Sequence, residues 1–409
     1  MKNENVIARI IPVMLVFFTM GFIDLIGIAT NYVKSDFDLS DTAANAFSVM
    51  VFLWFLVFSV PTGILMNKIG RKKTVLLSLI VTFVALCVPF IAYSSVSMLL
   101  CFSLLGLGNT LMQVSLNPLL TNIVSGNKLP SFLTLGQFVK AIASFAAPII
   151  AAQALIHYGN WKLLFPLFAV ITLIAVFYLY FTEIKEHAIE GKPSSFKECI
   201  GMLGDRIILI LFLGILVHVG IDVGVNITAP KLLIERTGME LAEAGYATSL
   251  YFLFRTCGCF AGTFILARFS SRNFFIISVC LMLLGILGLY FSFNAMTIYI
   301  CVAFIGLGNS NVFPIIFSRA LMYKPARNNE ISGLMIMGIA GGAVFPLLMG
   351  LASDNLGGQV GAVVVLTVCV AYLVFLAKTI LILLPFSRKG GFNPPLPANI
   401  ARNRIVTHQ

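Results

Sequence analysis

The chain has 409 residues, of which 59% are hydrophobic and only 11% charged, with a mean hydropathy of +1.00. Soluble domains carry about 25% charged residues, so this composition excludes a soluble enzyme or scaffold and places the protein in lipid. The net charge of +11 would suggest a nucleic-acid partner in a soluble protein, but in a lipid-embedded chain the position of each charge decides its meaning.

Crossing the ~30 Å hydrocarbon core takes roughly 20 apolar residues as helix. The period-2 alternation of a barrel strand is absent. In chain order the apolar segments fall near 10–33, 43–66, 74–94, 97–123, 131–156, 162–181, 205–230, 242–267, 273–293, 296–321, 328–352 and 358–385. An all-α membrane protein with twelve transmembrane helices is therefore expected. The first segment is too long for a signal-peptide core and no small-residue cleavage site follows it, so it reads as a retained helix. The basic residues sit at Lys2 and Arg9, in "NKIGRKK" (67–73), at Lys128, in the 183–197 connection, at Arg268 and Arg272, at Arg319, Lys324 and Arg327, and in the tail from Arg388. With the N-terminus inside, all of these face the cytoplasm, while Asp36, Asp38, Asp41, Glu235, Glu240 and Asp354 fall in outer loops. The charge is a topology signal with both termini cytoplasmic, and it implies no nucleic acid.

The eight cysteines have no metal or redox spacing: Cys257 and Cys259 point to different faces of one helix, and the others, apart from Cys199, lie singly in apolar runs. No metal site and no cofactor are expected. "GLGN" occurs at 106–109 and again at 306–309. Neither copy is a phosphate loop, since no Gly-Lys-Ser/Thr follows it. Gly63 and Gly262, 199 apart, and Pro148 and Pro346, 198 apart, recur at nearly the same offset. Two six-helix bundles of the same sense, 1–181 and 205–385, joined by a cytoplasmic linker at 182–204 and followed by a disordered tail at 386–409, form the parallel repeat of a secondary transporter with its substrate between the halves. One chain already holds both bundles, so a monomer is expected. The GxxxG pairs Gly258/Gly262 and Gly338/Gly342 read as helix-packing contacts.

Chemistry lies in the polar content of the spans. A charge at a helix centre costs about 2.5 to 3.5 kcal/mol on insertion scales, so each needs a partner, a water-filled cavity or a role. Four charges qualify: Asp24, Lys140, Asp222 and Arg255. Asn109, Gln113 and Asn117 share one face of helix 4; Gln137, Lys140 and Ser144 share one of helix 5; His218, Asp222 and Asn226 share one of helix 7. Any single amide could be interhelical glue, but three stripes favour a polar cavity. Amides that donate and accept, with Trp54, Tyr251 and Phe313 as aromatic planes, suit a neutral polyhydroxylated ligand, whereas an anion site would want unpaired Arg or Lys.

"LSDTAANAFSVMVFLWFLVFSVPTGILMNKIGRKKT" resembles the second helix and following loop of the major facilitator superfamily, and residues 1–385 are similar to its fucose/glucose-galactose permease branch. The most specific stretches are "QVSLNP" (113–118), "GLGNSNVFPIIFSRAL" and "GLMIMGIAGGAVFPLLMGLASD". The resemblance implies sugar uptake in a bacterial inner membrane driven by an ion gradient, usually protons with sodium as the alternative, through alternating access. It implies that Asn117, Gln137, Asn309 and Asp24 face the sugar or the proton route. Beside them, Asn109, Gln113, Asn226 and Tyr251 are expected at the substrate, Lys140, Asp222, Arg255 and His218 at the coupling ion, and Gly63, Asn67, Gly70 and Arg71 in a gating loop. The chain departs from the branch at Gln113, where a Glu is usual, at Cys259, where the helix-8 Arg is usual, and at Lys140, where a small polar residue is usual. It departs from the superfamily loop at Asn67, where Asp is usual. An exporter of drugs or metabolites, a sugar uniporter and a non-transporting sugar receptor stand as alternatives.

Overall fold

The structure, a computed structural model, describes residues 2–383 apart from 27, 28, 30, 31, 34, 35, 40, 125–127, 187–194, 240 and 245. The tail expected at 386–409 and the outer-loop Glu240 lie outside the described residues. Among the described residues the secondary structure is helical throughout, and twelve helices are long and apolar enough to cross a membrane. They are α1 (Lys2–Met20), α2 (Asp41–Ile69), α3 (Arg71–Ile91), α4 (Ser95–Thr121), α5 (Leu129–Tyr158), α6 (Leu164–Phe181), α7 (Arg206–Thr237), α8 (Tyr246–Arg268), α9 (Ser271–Phe291), α10 (Ala295–Tyr323), α11 (Pro325–Leu356) and α12 (Val360–Leu383). Side chains such as Phe90, Phe145, Phe177, Leu284, Leu347 and Val368 are exposed on the outer surface, as lipid contact requires.

Two boundaries differ from the sequence expectation. The first helix ends at Met20 and tightens into a 3-10 turn, Gly21–Leu25. A Cβ at Gly21 would collide with the Lys140 carbonyl and lie 2.8 Å from Ala143 Cβ, so α1 and α5 touch there backbone to backbone. Asn109 Nδ2 then donates to the Met20 carbonyl (2.8 Å), one of the acceptors the helix end leaves free. The seventh helix runs on through Pro230 to Thr237 and stops at Gly238, whose φ of 68° is left-handed.

The helices α1–α6 pack mainly on one another, as do α7–α12. The repeat is visible in the contacts. A Cβ on Gly106 would lie 2.8 Å from Val51 Cα and 3.0 Å from Trp54 Cδ1; one on Gly306 would lie 2.7 Å from the Tyr251 carbonyl and 3.4 Å from Phe254 Cβ. Residues 51 and 251, and 54 and 254, carry the same offset as the glycines. The tetrapeptide is repeated because each copy lets its helix lie tightly against the second helix of its own half. Gly258 and Gly262 admit the Ser310 and Asn311 side chains, where α10 breaks into two segments, and Asn311 Nδ2 donates to the Gly258 carbonyl (2.8 Å).

Consecutive helices reverse direction, so Lys68, Arg71, Lys128, Arg268, Arg272, Lys324 and Arg327 gather at one end of the molecule and Asp36, Asp38, Glu235 and Asp354 at the other. The second end also carries Lys162, Lys231 and Arg236, cations that the charge reading passed over. Lys162 lies 4.0 Å over the Tyr93 ring, and Arg236 donates to the Leu289 and Ser292 carbonyls. The halves are joined by hydrogen bonds that gather toward the basic end: Ser332 Oγ to the Val114 carbonyl (2.6 Å), Ser131 Oγ to the Thr263 carbonyl (2.5 Å), and a cluster around Asn67. The basic end is closed.

Candidate functional site

Each half carries one ion pair within its spans. In the first, Lys140 Nζ of α5 lies 3.7 Å from Asp24 Oδ2, which also accepts from Ser144 Oγ at 2.5 Å. Lys140 and Ser144 share a face of α5, one turn apart. The 3-10 turn at Gly21–Leu25 aims Asp24 at that face. In the second, Arg255 Nη1 of α8 lies 3.1 Å from Asp222 Oδ2 of α7. The other Asp222 oxygen accepts from Tyr251 OH (2.6 Å), the Tyr251 oxygen accepts from Asn309 Nδ2 (2.9 Å), and the Asn309 carbonyl oxygen lies 2.7 Å from His218 Nδ1. An amide oxygen only accepts, so His218 carries its proton on Nδ1. Gly306 makes this chain of bonds reachable, because it brings Asn309 down onto Tyr251.

The side chains of Asp24, Lys140, Arg255 and Asp222 are 44%, 20%, 27% and 17% exposed. Arg255 lies deep in the protein, and Asp24 of the opposite half falls within its electrostatic reach. Each of these charges is paired across two helices of its own half and stays partly exposed, the arrangement expected of charges that face a polar route rather than hydrocarbon.

The closure at the basic end is a polar latch. Asn67 Nδ2 donates to Glu330 Oε1 (2.9 Å), Asn329 Nδ2 donates to Asn67 Oδ1 (2.7 Å), and Arg71 Nε donates to Asn329 Oδ1 (2.7 Å), so the end of α2 and the start of α3 are tied to the start of α11. Arg71 Nη1 reaches the Pro118 carbonyl, Thr121 and Asn122 (2.6 Å for Asn122) at the end of α4. A Cβ at Gly63 would meet the Asn329 carbonyl at 2.7 Å, and Gly70, at φ 89°, turns the chain into α3. Glu186 caps α3 by accepting from the Arg71 and Lys72 amides, both at 2.7 Å. A short linker helix, Phe196–Gly201, covers α2 and α11 at this end and buries Cys199. Burial, and after it the Glu330 carboxylate, pushes the Cys199 thiol up to about 11. Nearby, Asp205 caps α7 through the Ile207 and Ile208 amides and pairs with Lys324 at 2.7 Å. Burial pushes its carboxyl up, but Lys324 and those amides together outweigh this and hold it below the usual range.

The Major Facilitator Superfamily model matches residues 13–338. The chain belongs to the major facilitator superfamily. It is 27% identical over 380 residues to a glucose/galactose transporter of Brucella abortus biovar 1 (strain 9-941), covering 88% of this chain and 91% of that protein. It is 25% identical over 345 residues to a nitrite extrusion protein of Bacillus subtilis (strain 168), covering 80% and 82%. Among solved structures it matches the transporter FucP in the outward conformation with a TM-score of 0.79 at 17% identity, over 92% of this chain and 99% of that one. The proton:xylose symporter XylE matches with a TM-score of 0.71 at 12% identity, over 94% and 97%. The protein is thus a multi-pass integral membrane transporter of this superfamily.

Within the superfamily fold, the residues singled out by sequence for substrate and coupling ion divide into three groups. The four charges with Asn226 and Gln137 are half-buried or exposed. The helix-4 stripe is enclosed and largely self-bonded: Gln113 Nε2 donates to Asn109 Oδ1 (2.7 Å), and Asn117 Nδ2 to the Gln113 carbonyl (2.8 Å). Asn309, Tyr251 and His218 are buried in the chain of bonds behind Asp222. Asn117 Oδ1 and Asn226 Oδ1 are buried acceptors without a partner. Glu330, Asn329, Glu186 and Asn122 were missed. Glu330, Asn329 and Asn122 lie at helix ends and Glu186 in the linker coil, all among other polar residues, and nothing local marks a partner as distant as the 263 residues between Asn67 and Glu330.

Proposed function

We propose that this transporter imports a monosaccharide across a bacterial inner membrane by proton symport. The observation that carries the reading is the pair of ion pairs, one within the spans of each half, together with the hydrogen bonds that join the halves toward the basic end. By the positive-inside rule that end is cytoplasmic, and so are both termini. The state is then outward-facing, and the sugar and the proton enter from outside.

Asp24 is the loadable acid. It is the most exposed of the four charges, and its lysine stands at 3.7 Å, beyond hydrogen-bond length. Asp222 is the fixed acid, held by Tyr251 and Arg255. A proton on Asp24 frees Lys140. The sugar then binds between α1, α5, α7 and α8, with Asn226 Oδ1 as an acceptor for a hydroxyl and Asn117 Oδ1 as a second once the halves rock. Closure over the sugar is accompanied by release of the Asn67–Glu330 latch. When sugar and proton leave, Lys140 returns to the Asp24 carboxylate and serves as the internal cation that replaces the proton. Gln113, where the branch has Glu, leaves Asp24 without a second acid on α4. The sugar assignment leans on the glucose/galactose transporters among the relatives and on the amide acceptors; a nitrite or nitrate carrier is the second reading, favoured by the Bacillus subtilis relative.

The test is uptake from a panel of labelled hexoses, and of nitrite and nitrate, into proteoliposomes under imposed proton or sodium gradients. Accumulation of a sugar driven by the proton gradient is expected. Transport of nitrite or nitrate with none of the sugars would replace this reading by the second.

A further inference from the structure

The two cations of these ion pairs are short of partners. Among the described residues, Arg255 makes one polar contact, Nη1 to Asp222 Oδ2 at 3.1 Å, although a guanidinium has five N–H donors. Lys140, with three donors, has only the Asp24 carboxylate at 3.7 Å, and Asp24 instead takes its short bond from Ser144. Both carboxylates spend acceptor capacity on hydroxyls, Asp24 on Ser144 and Asp222 on Tyr251, and so leave the cations underused. The two lie on α5 and α8, helices from opposite halves that pack together, with Phe138 and Phe260 in contact (centroids 5.1 Å) closer to the basic end. At 1.5 Å per residue, Lys140 stands ~17 Å along α5 from its first residue and Arg255 ~20 Å along α8 from its last. By this count they lie within ~3 Å of one another in depth on adjoining helices, and Asp24 lies within reach of both.

Free donors on two mid-membrane cations are what an anion site requires. Burying charge in lipid is costly unless it meets a partner of opposite sign, and a guanidinium fork matches a carboxylate in shape as well as charge. We propose that the transported sugar is an acid, a hexuronate or aldonate whose carboxylate bridges Arg255 and Lys140 while its hydroxyls meet the amide acceptors. This deepens the sugar reading and rests on it. The charge count supports the assignment. Asp24, Lys140, Asp222 and Arg255 sum to zero; an added carboxylate makes the site negative, and one proton on Asp24 restores neutrality. The sugar carboxylate takes the place on Lys140 that the protonated Asp24 gives up. Transport of one anion with one proton then carries no net charge, whereas a neutral sugar with one proton would carry one.

The experiment is calorimetric titration of the purified protein in lipid nanodiscs with D-galacturonate and D-glucuronate against D-galactose and D-glucose, with nitrate as a further arm. Two charge-assisted contacts should make at least one acid bind about tenfold or more tighter than its parent hexose. Lys140→Gln and Arg255→Gln should each erase that preference, and uptake of the acid with a proton should leave the membrane potential unchanged. Equal or tighter binding of the hexoses overturns this proposal while leaving the sugar reading intact. Binding of nitrate alone, or of none of these compounds, overturns both.

Discussion

Substituting Asn67 by alanine would strike the contact that keeps the basic end shut, and its effect can be worked from the geometry. The substitution removes two hydrogen bonds between the halves, Asn67 Nδ2 to Glu330 Oε1 at 2.9 Å and Asn329 Nδ2 to Asn67 Oδ1 at 2.7 Å. A neutral hydrogen bond contributes about 1 kcal/mol net and one to a charged group about 1.5 to 3, so the closed state loses about 2 to 4 kcal/mol relative to the open state, in which these groups are hydrated. At ~1.4 kcal/mol per tenfold, the open population rises roughly 30- to 1000-fold, saturating once that state dominates. Cys199 is a natural reporter. The linker helix buries it against α2 and α11 in the closed state. Its thiol, pushed up to about 11 by burial and the Glu330 carboxylate, yields little thiolate at neutral pH. Opening exposes it and relaxes that upward push, so alkylation by a hydrophilic maleimide, read by peptide mass spectrometry, accelerates by a factor in that range. Asn67→Asp would accelerate it further, since two carboxylates then face each other. Unchanged Cys199 labelling in an Asn67→Ala protein of wild-type thermal stability would refute the latch.

Gly306→Ala places a Cβ 2.7 Å from the Tyr251 carbonyl and pushes α10 off α8, which should cost about 1 to 3 kcal/mol in thermal unfolding and weaken substrate binding through the Asn309–Tyr251 bond. Gly106→Ala, 2.8 Å from Val51 Cα, should cost a similar amount through α2 without touching that bond, which substrate titration will show. Asp205→Ala should destabilise the protein by about 1 kcal/mol at pH 7 as a lost cap. Because the Asp205 carboxyl is held below its usual range, its contribution is present above that range and lost as pH falls through the folded value, so the melting-temperature gap between mutant and wild type should narrow on acidification below about pH 4. Asn226→Ala should lower substrate affinity roughly ten- to hundredfold, because a substrate hydroxyl loses its buried acceptor; an unchanged dissociation constant removes Asn226 from the site.

What was legible in the sequence follows the range of the forces involved. Spans are written in local hydropathy, so twelve could be read from apolar runs of about 20 residues. The doubling of GLGN was legible because two copies of one packing problem, a helix pressed on the second helix of its half, select the same glycine. The charges Asp24, Lys140, Asp222 and Arg255 stood out because lipid makes each one costly. The Asp24–Lys140 pair was within reach too, because counting about 1.5 Å per residue puts both at a similar depth on helices 1 and 5; the Arg255–Asp222 pair is a tertiary fact that the repeat only hinted at. The latch was half legible: "NKIGRKKT" marked one side, while Asn329 and Glu330 sit in a polar helix start where such residues are unremarkable. The free donors of Arg255 and Lys140 were beyond reach, since a sequence shows that a charge exists but not how many of its hydrogen-bond directions are occupied. For that reason residue types alone suggested a neutral ligand, and the geometry argues for an acidic one.

In the proposed cycle, substrate and proton cross together by way of Asp24. The most direct measurement is external pH in lightly buffered, proton-tight proteoliposomes when saturating substrate is added. Alkalinisation should track substrate entry in the wild type and be absent in Asp24→Asn, which still exchanges substrate in counterflow. Substrate entry without alkalinisation, or alkalinisation that survives in Asp24→Asn, would contradict it.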